Sequence, residues 1–439
     1  MTLHENRFTP RVHAALRFAG TALAVAWLAG CATTAPAPEW KASWKESWGS
    51  ALMVPNDKVA LTAAEGRDVT LRQAMRLSLG GDALRVRISN LYGAEPLVIG
   101  AATVGRPARP GVGDLAGAAP AALRFGGAAG VSVAPGAEVL SDPLAFPVTA
   151  GEHLALSLHV VSAPARQSAH PAAHSTQFVA PGNQAAQPAL TGARAVGSWY
   201  QVAGIEVQAP GAQGVLVAIG DSITDGSGSG KDRDERWPDY LVRRLAAEGG
   251  PQVGVINAGI GGNRMLRDDT GPNLLSRFER DVLAHPGVTH ALVLIGVNDM
   301  GHLLRAGRDT PEARQAMMTE LQAGWGELAA KAHAQGVCLI AGTITPYVGG
   351  RIYKPQPHNE ADRVALNDWL RGSNLFDGVA DFDAAVRDPA AIDRLQKAYD
   401  SGDGLHLSAA GYRAMAGAVP INRLAGCGRA HEASTRGQQ

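Results

Sequence analysis

The second half of the chain alternates short apolar runs with helix-like segments. The apolar runs are rich in β-branched residues, which predicts strands buried on both faces, and they cover Val215–Ile219, Val253–Asn257, His290–Ile295, Val337–Gly342 and Gly378–Phe382. The helix-like segments are Trp237–Ala247, Asn273–Leu283, Pro311–Gln335, Glu360–Leu370 and Ser408–Ala418. Strands separated by helices predict a parallel sheet with helices on both faces, a three-layer α/β/α domain.

The first half of the chain has the two-residue period of half-buried strands instead. Alternation is clearest over Leu84–Asn90 and partial over Val69–Leu79, and Leu154–Val160 and Gly204–Gln208 are further strand candidates. Gly80-Gly81-Asp82 lies between the first two runs and predicts a hairpin. Because Gly- and Pro-rich turns separate the runs and no helical period is present, we expect an antiparallel β-sandwich or jelly roll.

The pattern changes at Pro210-Gly211, where we place a domain boundary. A chain of 439 residues exceeds the usual size of one domain, which also favours two domains. We therefore expect a β-sandwich-like domain over residues 40–210, an α/β/α domain over residues 211–427 and a polar tail over residues 428–439.

The first residues have the pattern of a targeting segment. Arg7, Arg11 and Arg17 precede the apolar run Phe18–Ala29, which is too short to span a bilayer as a mature helix. The following Gly30-Cys31 resembles the end of a bacterial lipoprotein signal. That resemblance implies a signal peptide at residues 1–30, a lipid on Cys31 and a tether at residues 31–39. The alternative is an ordinary secretory signal cut near the same place.

If the chain is a lipoprotein, it is exported and anchored in a membrane. Ala32 follows the cysteine, and no aspartate stands there to indicate retention in the inner membrane. We therefore expect the outer membrane, facing the periplasm or the cell surface.

Composition narrows the range of partners and cofactors. Lys+Arg and Asp+Glu are both 40, so the formal net charge is zero and nucleic acid is not an expected partner. The three cysteines are not surrounded by a cluster of histidines, and we expect no metal and no organic cofactor. Cys338 and Cys427 form a disulfide, which an exported compartment permits, or Cys338 is a buried free thiol.

Three tryptophans follow the tether at a spacing of four residues, at Trp40, Trp44 and Trp48. They pack the chain onto a domain surface, or they contact sugar rings.

Four short blocks carry candidate chemistry, and each follows an apolar run or precedes a helix-like segment. They are Gly220-Asp221-Ser222, Ile256–Asn263, Leu294–Asp299 and Asp403-Gly404-Leu405-His406. Open α/β sheets place reactive groups at the carboxyl ends of their strands, where the first three blocks fall. Taken singly, each block is also a common turn or helix cap. All four blocks in this order are not a common combination.

The four blocks in this order resemble the SGNH (GDSL) hydrolase family over Gly211–Ala425. The resemblance implies a three-layer α/β/α fold, Ser222 as nucleophile, His406 as base and Asp403 as the carboxylate that orients the base. It also implies an oxyanion hole. The donors would be the backbone N–H groups of Ser222 and Gly262 and the side-chain amide of Asn298.

Further residues in or near these blocks also have expected roles. Gly261 is the nearest rival to Gly262 for the loop donor, although the spacing from Asn257 favours Gly262. Leu407 stands where the family usually has proline, a position that shapes the loop without taking part in chemistry. Asp221 and Asp225 are expected to be turn and cap residues. Asp299 and His302 are expected to contact the catalytic residues without touching the substrate. Thr343–Tyr347 ends another predicted strand and is a candidate lining of the substrate cleft.

These residues have the chemistry that ester hydrolysis needs: a nucleophile, a base and donors for the developing oxyanion. Arg85–Gly93 resembles the leading domain of a family branch that includes acetylxylan esterases, which implies O-acetyl groups on carbohydrate as substrate. A lipid or aryl esterase is the enzymatic alternative. A surface glycan-binding lipoprotein with an inactive hydrolase domain is the alternative of another class, although all five expected site residues are intact.

Overall fold

The computed structural model describes residues 44–117 and 119–425, which belong to one compact unit beginning at Trp40. The predicted signal peptide, Cys31, the tether, Trp40, Cys427 and the polar tail lie outside the described residues.

The first half of the chain folds into strands. They are β1 (Trp44–Gly49), β2 (Arg67–Arg76), β3 (Gly81–Ser89), β4 (Leu97–Gly105), β5 (Ala121–Ala122), β6 (Val131–Val133), β7 (Glu138–Leu140), β8 (Leu144–Val148), β9 (His153–Ser162), β10 (Ala169–His170), β11 (Gln177–Pro181), β12 (Arg194–Val196), β13 (Trp199–Tyr200) and β14 (Val202–Gln208). One antiparallel sheet has the order β1-β14-β3-β7, with β8 also on β3. The second has the order β12-β11-β2-β9-β4-β5, with β6 on β4.

The alternation in β3 explains how the two sheets pack. Leu84, Val86 and Ile88 are fully buried in a core to which both sheets contribute, so the region is a β-sandwich as predicted. On the opposite face of β3, Arg85 and Arg87 pair with Glu206 of β14. The period of two therefore separates an apolar face from a charged face.

The predicted hairpin at Gly80-Gly81-Asp82 is wrong, because β2 and β3 lie in different sheets. The glycines form a corner that carries the chain from one sheet to the other. A Cβ at Gly81 would lie 2.6 Å from the carbonyl oxygen of Gln208 on β14, so the corner needs glycine for close backbone approach.

The second half alternates strands with helices. The strands are β15 (Gly214–Gly220), β16 (Val253–Gly259), β17 (Val288–Leu294), β18 (Cys338–Gly342), β19 (Gly378–Ala380), β20 (Arg387–Asp388) and β21 (Ala391–Leu395). The helices are α1 (Ser222–Asp225), α2 (Trp237–Ala247), α3 (Leu274–Phe278), α4 (Val297–Arg305), α5 (Pro311–Ala334), α6 (Pro357–Gly372), α7 (Phe382–Val386) and α8 (Ala409–Ala418). A π-helical turn, Glu279–Leu283, continues α3, and a 3₁₀ turn covers Ile421–Ala425.

Five of these strands form a parallel sheet in the order β16-β15-β17-β18-β19. Val215–Ile219 of β15 is fully buried, as expected for a strand covered on both faces. Helices α2 and α8 pack together, and α5 packs with α3, α4 and α6. The α/β/α prediction is confirmed. The chain runs from β15 to β16 on one side and to β17 on the other, so the order reverses beside β15, where open sheets form binding crevices.

The β-sandwich and the parallel sheet meet along β1 and β16. Ser50, directly after β1, forms a parallel bridge with Asn257 of β16. Trp44 and Trp48 of β1 are buried. Trp48 packs edge-on against Trp199, with ring centroids 5.0 Å apart, so these tryptophans pack the chain rather than present rings to a sugar.

Two further expectations concern Cys338 and membrane spans. Cys338 is disulfide-bonded, and Cys427 lies outside the described residues. Among the helices of residues 44–117 and 119–425, none combines the length and apolar character needed to cross a membrane.

Candidate active site

The candidate nucleophile sits in a sharp turn between β15 and α1. A Cβ at Gly220 would lie 2.3 Å from the carbonyl oxygen of Leu294 and 2.6 Å from the hydroxyl of Thr224, so only glycine fits at the end of the strand. Asp221 caps α1, accepting a hydrogen bond from the Ile223 N–H at 3.0 Å. Ser222 is therefore held as the first residue of α1, with its backbone N–H at the start of the helix.

The structure joins Ser222, His406 and Asp403 in a chain of hydrogen bonds. Ser222 Oγ lies 2.8 Å from His406 Nε2, and His406 Nδ1 lies 2.6 Å from Asp403 Oδ2. Ser222 and His406 are separated by 184 positions along the chain, so the fold brings them together. With the Nδ1 proton directed at the carboxylate, Nε2 is free to accept the Ser222 proton, which is the arrangement of a nucleophile, a base and an orienting group.

The loop before α8 fixes the Asp403 carboxylate. Its Oδ1 accepts the backbone N–H groups of Leu405 and His406, at 2.9 and 2.8 Å. Burial acts to raise the pKa of Asp403, but these bonds and the imidazole contact outweigh burial and hold the pKa below its ordinary value. Asp403 thus stays ionised beside the imidazole. Leu407, where the family usually has proline, is fully buried in the core.

The backbone around Gly262 distinguishes it from Gly261. The Gly261 N–H donates to Asp225 Oδ2 at 3.1 Å and is therefore already used. The Gly262 N–H has no backbone acceptor within the described part of the chain. Gly262 has a φ of +77°, a left-handed conformation that favours glycine, and a Cβ there would meet the Thr270 hydroxyl at 2.9 Å. The geometry favours Gly262 as the loop donor.

Asn298, on the first turn of α4, is 3% exposed and fixed at both ends of its amide. Its Nδ2 donates to the Asn263 carbonyl at 2.9 Å, which leaves the second amide hydrogen for another acceptor. The Tyr353 hydroxyl donates to its Oδ1 at 2.6 Å. Burial raises the pKa of Tyr353 to about 12, so this hydroxyl keeps its proton. The sequence does not predict Tyr353 as a site residue, and no local pattern marks it.

Arg277 is a second residue that the sequence motifs do not reveal. Its guanidinium is fully buried and donates to the Gly220 carbonyl, the Ala258 carbonyl and the Asn263 side chain at 2.8–3.0 Å. These contacts tie the ends of β15 and β16 to the loop that holds Gly262. The one signal in the sequence is that Arg277 stands three residues after Leu274 and next to Phe278, on the apolar face of a predicted helix.

The remaining acidic residues near Ser222 have supporting positions; Asp221 is the expected cap, whereas Asp225 is not a turn or cap residue but pairs with another side chain. Burial raises the pKa of Asp221 to about 7 and that of Asp299 to about 6. Asp299 accepts the backbone N–H groups of Met265 and Leu266, which holds the segment after Asn263. Asp225 is buried against His170 of the β-sandwich, with Oδ1 3.0 Å from Nε2. His302 packs near the Tyr353 ring, at a centroid distance of 6.1 Å.

The expectation that Thr343–Tyr347 lines a substrate cleft is wrong. Thr343, Thr345 and Tyr347 are at most 1% exposed. Thr343 instead donates to Asp381 at 3.0 Å and so joins the ends of β18 and β19. Among residues 44–117 and 119–425, no group of three or more His, Cys, Asp or Glu side chains is placed to hold a metal ion.

Residues 218–414 match the family model described as GDSL-like Lipase/Acylhydrolase family. No curated protein matches the chain. Similar solved structures include a lipolytic protein of the G-D-S-L family from Desulfitobacterium hafniense, at 22% identity and a TM-score of 0.35, covering 48% of this chain and 98% of that one. Another is an alpha/beta hydrolase from a Lake Arreo metagenome (22%, TM-score 0.35, 49% and 96%). A third is an acetyl xylan esterase from Geobacillus stearothermophilus (21%, TM-score 0.34, 49% and 95%).

Proposed function

We propose that residues 218–414, which match the GDSL-like Lipase/Acylhydrolase family model, form a carboxylic-ester hydrolase that removes O-acetyl groups from carbohydrate through an acyl-enzyme on Ser222. The observation that carries the proposal is the hydrogen-bonded chain from Ser222 Oγ to His406 and on to Asp403. Ester hydrolysis needs such a chain, together with donors for the oxyanion.

The first half of the reaction forms the acyl-enzyme. His406 Nε2 takes the Ser222 proton as Oγ attacks the ester carbonyl, and Asp403 stabilises the resulting imidazolium. The backbone N–H groups of Ser222 and Gly262 and the free amide hydrogen of Asn298 donate to the tetrahedral oxyanion. The imidazolium then protonates the leaving alcohol as the C–O bond breaks.

The second half repeats these roles with water. His406 removes a proton from water, the hydroxide attacks the acyl carbonyl, and the same donors hold the second oxyanion. Return of the proton to Ser222 Oγ releases the acid and restores the enzyme.

Two observations support a short acyl group on a sugar. The segment Arg85–Gly93 resembles the leading domain of the acetylxylan-esterase branch. A cleft of about 1460 Å³ and another of about 550 Å³ are lined by other residues, and neither lining includes Ser222 or His406. A long acyl chain would need an apolar groove that opens at the serine.

We further propose that the lipid on Cys31 anchors the enzyme in the outer membrane, where it meets glycan.

The test is a hydrolysis panel with acetylated polysaccharides and aryl esters of rising chain length, using wild type and Ser222→Ala. We expect release of acetate from the polysaccharides, a rate that falls beyond the shortest aryl esters, and loss of nearly all turnover in folded Ser222→Ala. Preference for long acyl chains would favour the lipid or aryl esterase, and glycan binding without turnover would favour the binding lipoprotein.

A further inference from the structure

A buried histidine of the β-sandwich reaches the hydrolase site. His170 on β10 is 2% exposed. Its Nδ1 lies 2.8 Å from the Ala51 carbonyl and its Nε2 lies 3.0 Å from Asp225 Oδ1. A carbonyl oxygen accepts only, so Nδ1 carries a proton. Nε2 faces a carboxylate that can accept a second one, and the two contacts together fit an imidazolium.

Asp225 also contacts the loop that carries Gly262, the candidate oxyanion donor. It is 2% exposed and ends α1, three residues after Ser222. Its Oδ1 faces His170, and its Oδ2 accepts the Gly261 N–H at 3.1 Å. The peptide that carries the Gly262 N–H begins at Gly261. One carboxylate therefore joins the sandwich, the nucleophile helix and the loop donor.

The groups around this pair favour its charged form. Burial acts to lower the pKa of His170, but the Asp225 carboxylate and its hydrogen bond outweigh burial and raise it. The facing charged groups are Arg236, which pairs with Asp239, and His174, whose pKa burial lowers. The Trp199 ring packs on the imidazole at 5.6 Å. Since Arg236 already has a carboxylate partner, His170 is the cation that compensates Asp225.

We propose that His170 is a positioning residue for ester hydrolysis: by holding Asp225, it fixes the Gly261–Gly262 peptide, so that the β-sandwich forms part of the oxyanion apparatus. This inference rests on the proposed function. Oxyanion donors stabilise the transition state only when they point at the developing charge. A small rotation of this peptide therefore lowers kcat but has little effect on substrate binding. The β-sandwich thereby acquires a role in the reaction.

The experiment compares variants in the full-length chain. His170→Ala should lower kcat by about ten- to a hundredfold with KM within about threefold, because one oxyanion donor is misplaced. Asp225→Ala should behave alike. Asp225→Asn should keep most of the activity, because its amide can donate to a neutral imidazole while its oxygen still accepts from Gly261. His159→Ala is the matched control. It removes a sandwich histidine paired with the exposed Asp68 and should leave kcat unchanged.

A double variant separates positioning from mere stability. His170→Ala leaves the Asp225 charge buried without its partner, and adding Asp225→Asn removes that charge. We expect His170→Ala/Asp225→Asn to regain the wild-type Tm but not the wild-type kcat, since nothing then orients the amide. Recovery of both would show a structural role only and would overturn the proposal, as would unchanged kcat in His170→Ala.

A readout without substrate distinguishes failure of this inference from failure of the proposed function. Nitrogen-15 NMR of the imidazoles should show both His170 nitrogens protonated at pH 7.5, and only one in Asp225→Asn. A neutral His170 in wild type overturns the positioning proposal even if esters are hydrolysed. An enzyme that hydrolyses no ester in the panel overturns the proposed function, whereas the NMR result still reports the His170–Asp225 pair.

Discussion

The Asn298 amide is oriented as an oxyanion donor by its hydrogen bonds with the Asn263 carbonyl and the Tyr353 hydroxyl. Asn298→Ala should lower kcat by about a hundred- to a thousandfold, because one oxyanion donor is lost. Tyr353→Phe removes only the hydroxyl that orients the amide, so we expect a smaller loss, on the order of three- to tenfold, with KM nearly unchanged. Steady-state kinetics with a short-chain aryl ester measures both. A change confined to KM in Asn298→Ala would assign the side chain to substrate binding instead.

The Asp403–His406 pair predicts a pH dependence of the rate. In wild type, activity should fall on the acid side, because a protonated imidazole cannot accept the Ser222 proton. Asp403→Asn keeps the size of the side chain but loses the charge that stabilises the imidazolium, so kcat should drop by about ten- to a thousandfold. The measurement is the pH–rate profile of both forms. A wild type without an acid limb, or a fully active Asp403→Asn, would show that the pair is not the base.

Asp221 makes the folded state less stable as the pH rises. Its pKa is about 7 when folded, against an ordinary value of 3.8, so between about pH 4 and pH 7 the folded chain holds a proton that the unfolded chain has lost. Stability from this group is therefore present at low pH and is lost as the pH rises through 7. Asp221→Asn keeps a good helix cap without the ionisation.

We expect the free energy of unfolding of Asp221→Asn to exceed that of wild type at pH 8, by up to about 4 kcal/mol at 1.36 kcal/mol per pKa unit. At pH 4 the two proteins should be nearly equal. Urea unfolding at both values measures the difference. Equal pH dependence in the two proteins would show that Asp221 is ionised at neutral pH in the folded state.

The sequence identifies residues that act through local motifs and misses those that act across the fold. Ser222, His406 and Asp403 are found because the four ordered blocks together resemble the SGNH hydrolase family, and the structure brings these side chains together. Tyr353 contacts Asn298 across 55 positions, and His170 contacts Asp225 across 55 positions. Such contacts depend on topology, which a residue pattern does not encode.

At the scale of elements, the strands of the parallel sheet and the long helices are predicted well, because unbroken apolar runs and helical periodicity mark them, whereas sandwich strands such as β4 and β11 are not predicted. Helix α2 has the predicted bounds, Trp237–Ala247, and β15 differs by one residue at each end. The sequence pattern does not predict helix α4, which carries Asn298. Its nine residues contain a glycine and begin directly after a buried strand, so its pattern is too short to show a period.

The turn at Gly296 precedes α4 and sets the position of Asn298 on the first turn of this helix. Gly296 has a φ of +124°, and a Cβ there would lie 3.0 Å from Ile344. Gly296→Ala should destabilise the fold by about 1–3 kcal/mol and lower kcat, because the strained turn shifts the start of α4.

Gly326→Ala is the matched control for that variant. Gly326 lies inside α5, and a methyl group added there would meet open space, so alanine should stabilise the helix by about 0.5–1 kcal/mol. Thermal unfolding and kcat are measured for both variants. Unchanged stability and kcat in Gly296→Ala would show that the turn tolerates a side chain and does not set the position of Asn298.

At the scale of the whole molecule, composition and periodicity predict two kinds of architecture but not how they join. The sandwich and the parallel sheet share the bridge from Ser50 to Asn257, and Arg280 of the π-helical turn donates to Tyr92 of the sandwich at 2.7 Å. These contacts pair residues more than 180 positions apart, and although Asn257 and Tyr92 lie in segments that the sequence marks, neither segment indicates its partner. The candidate active site is thus built on a scaffold that includes the β-sandwich.

Attachment to a membrane is the last prediction, and it depends on Cys31. The arginines and the apolar run before it resemble a lipoprotein signal, and one acyl chain binds a membrane only marginally, whereas several chains anchor it stably. In cells fed a labelled fatty acid, the wild type should incorporate label and fractionate with the outer membrane. Cys31→Ser should incorporate none and leave the membrane fraction, while purified Cys31→Ser keeps the wild-type kcat, since the site lies within residues 218–414. Equal labelling of both forms would refute the lipoprotein interpretation, and an unlabelled wild type released by the cells would favour an ordinary secretory signal.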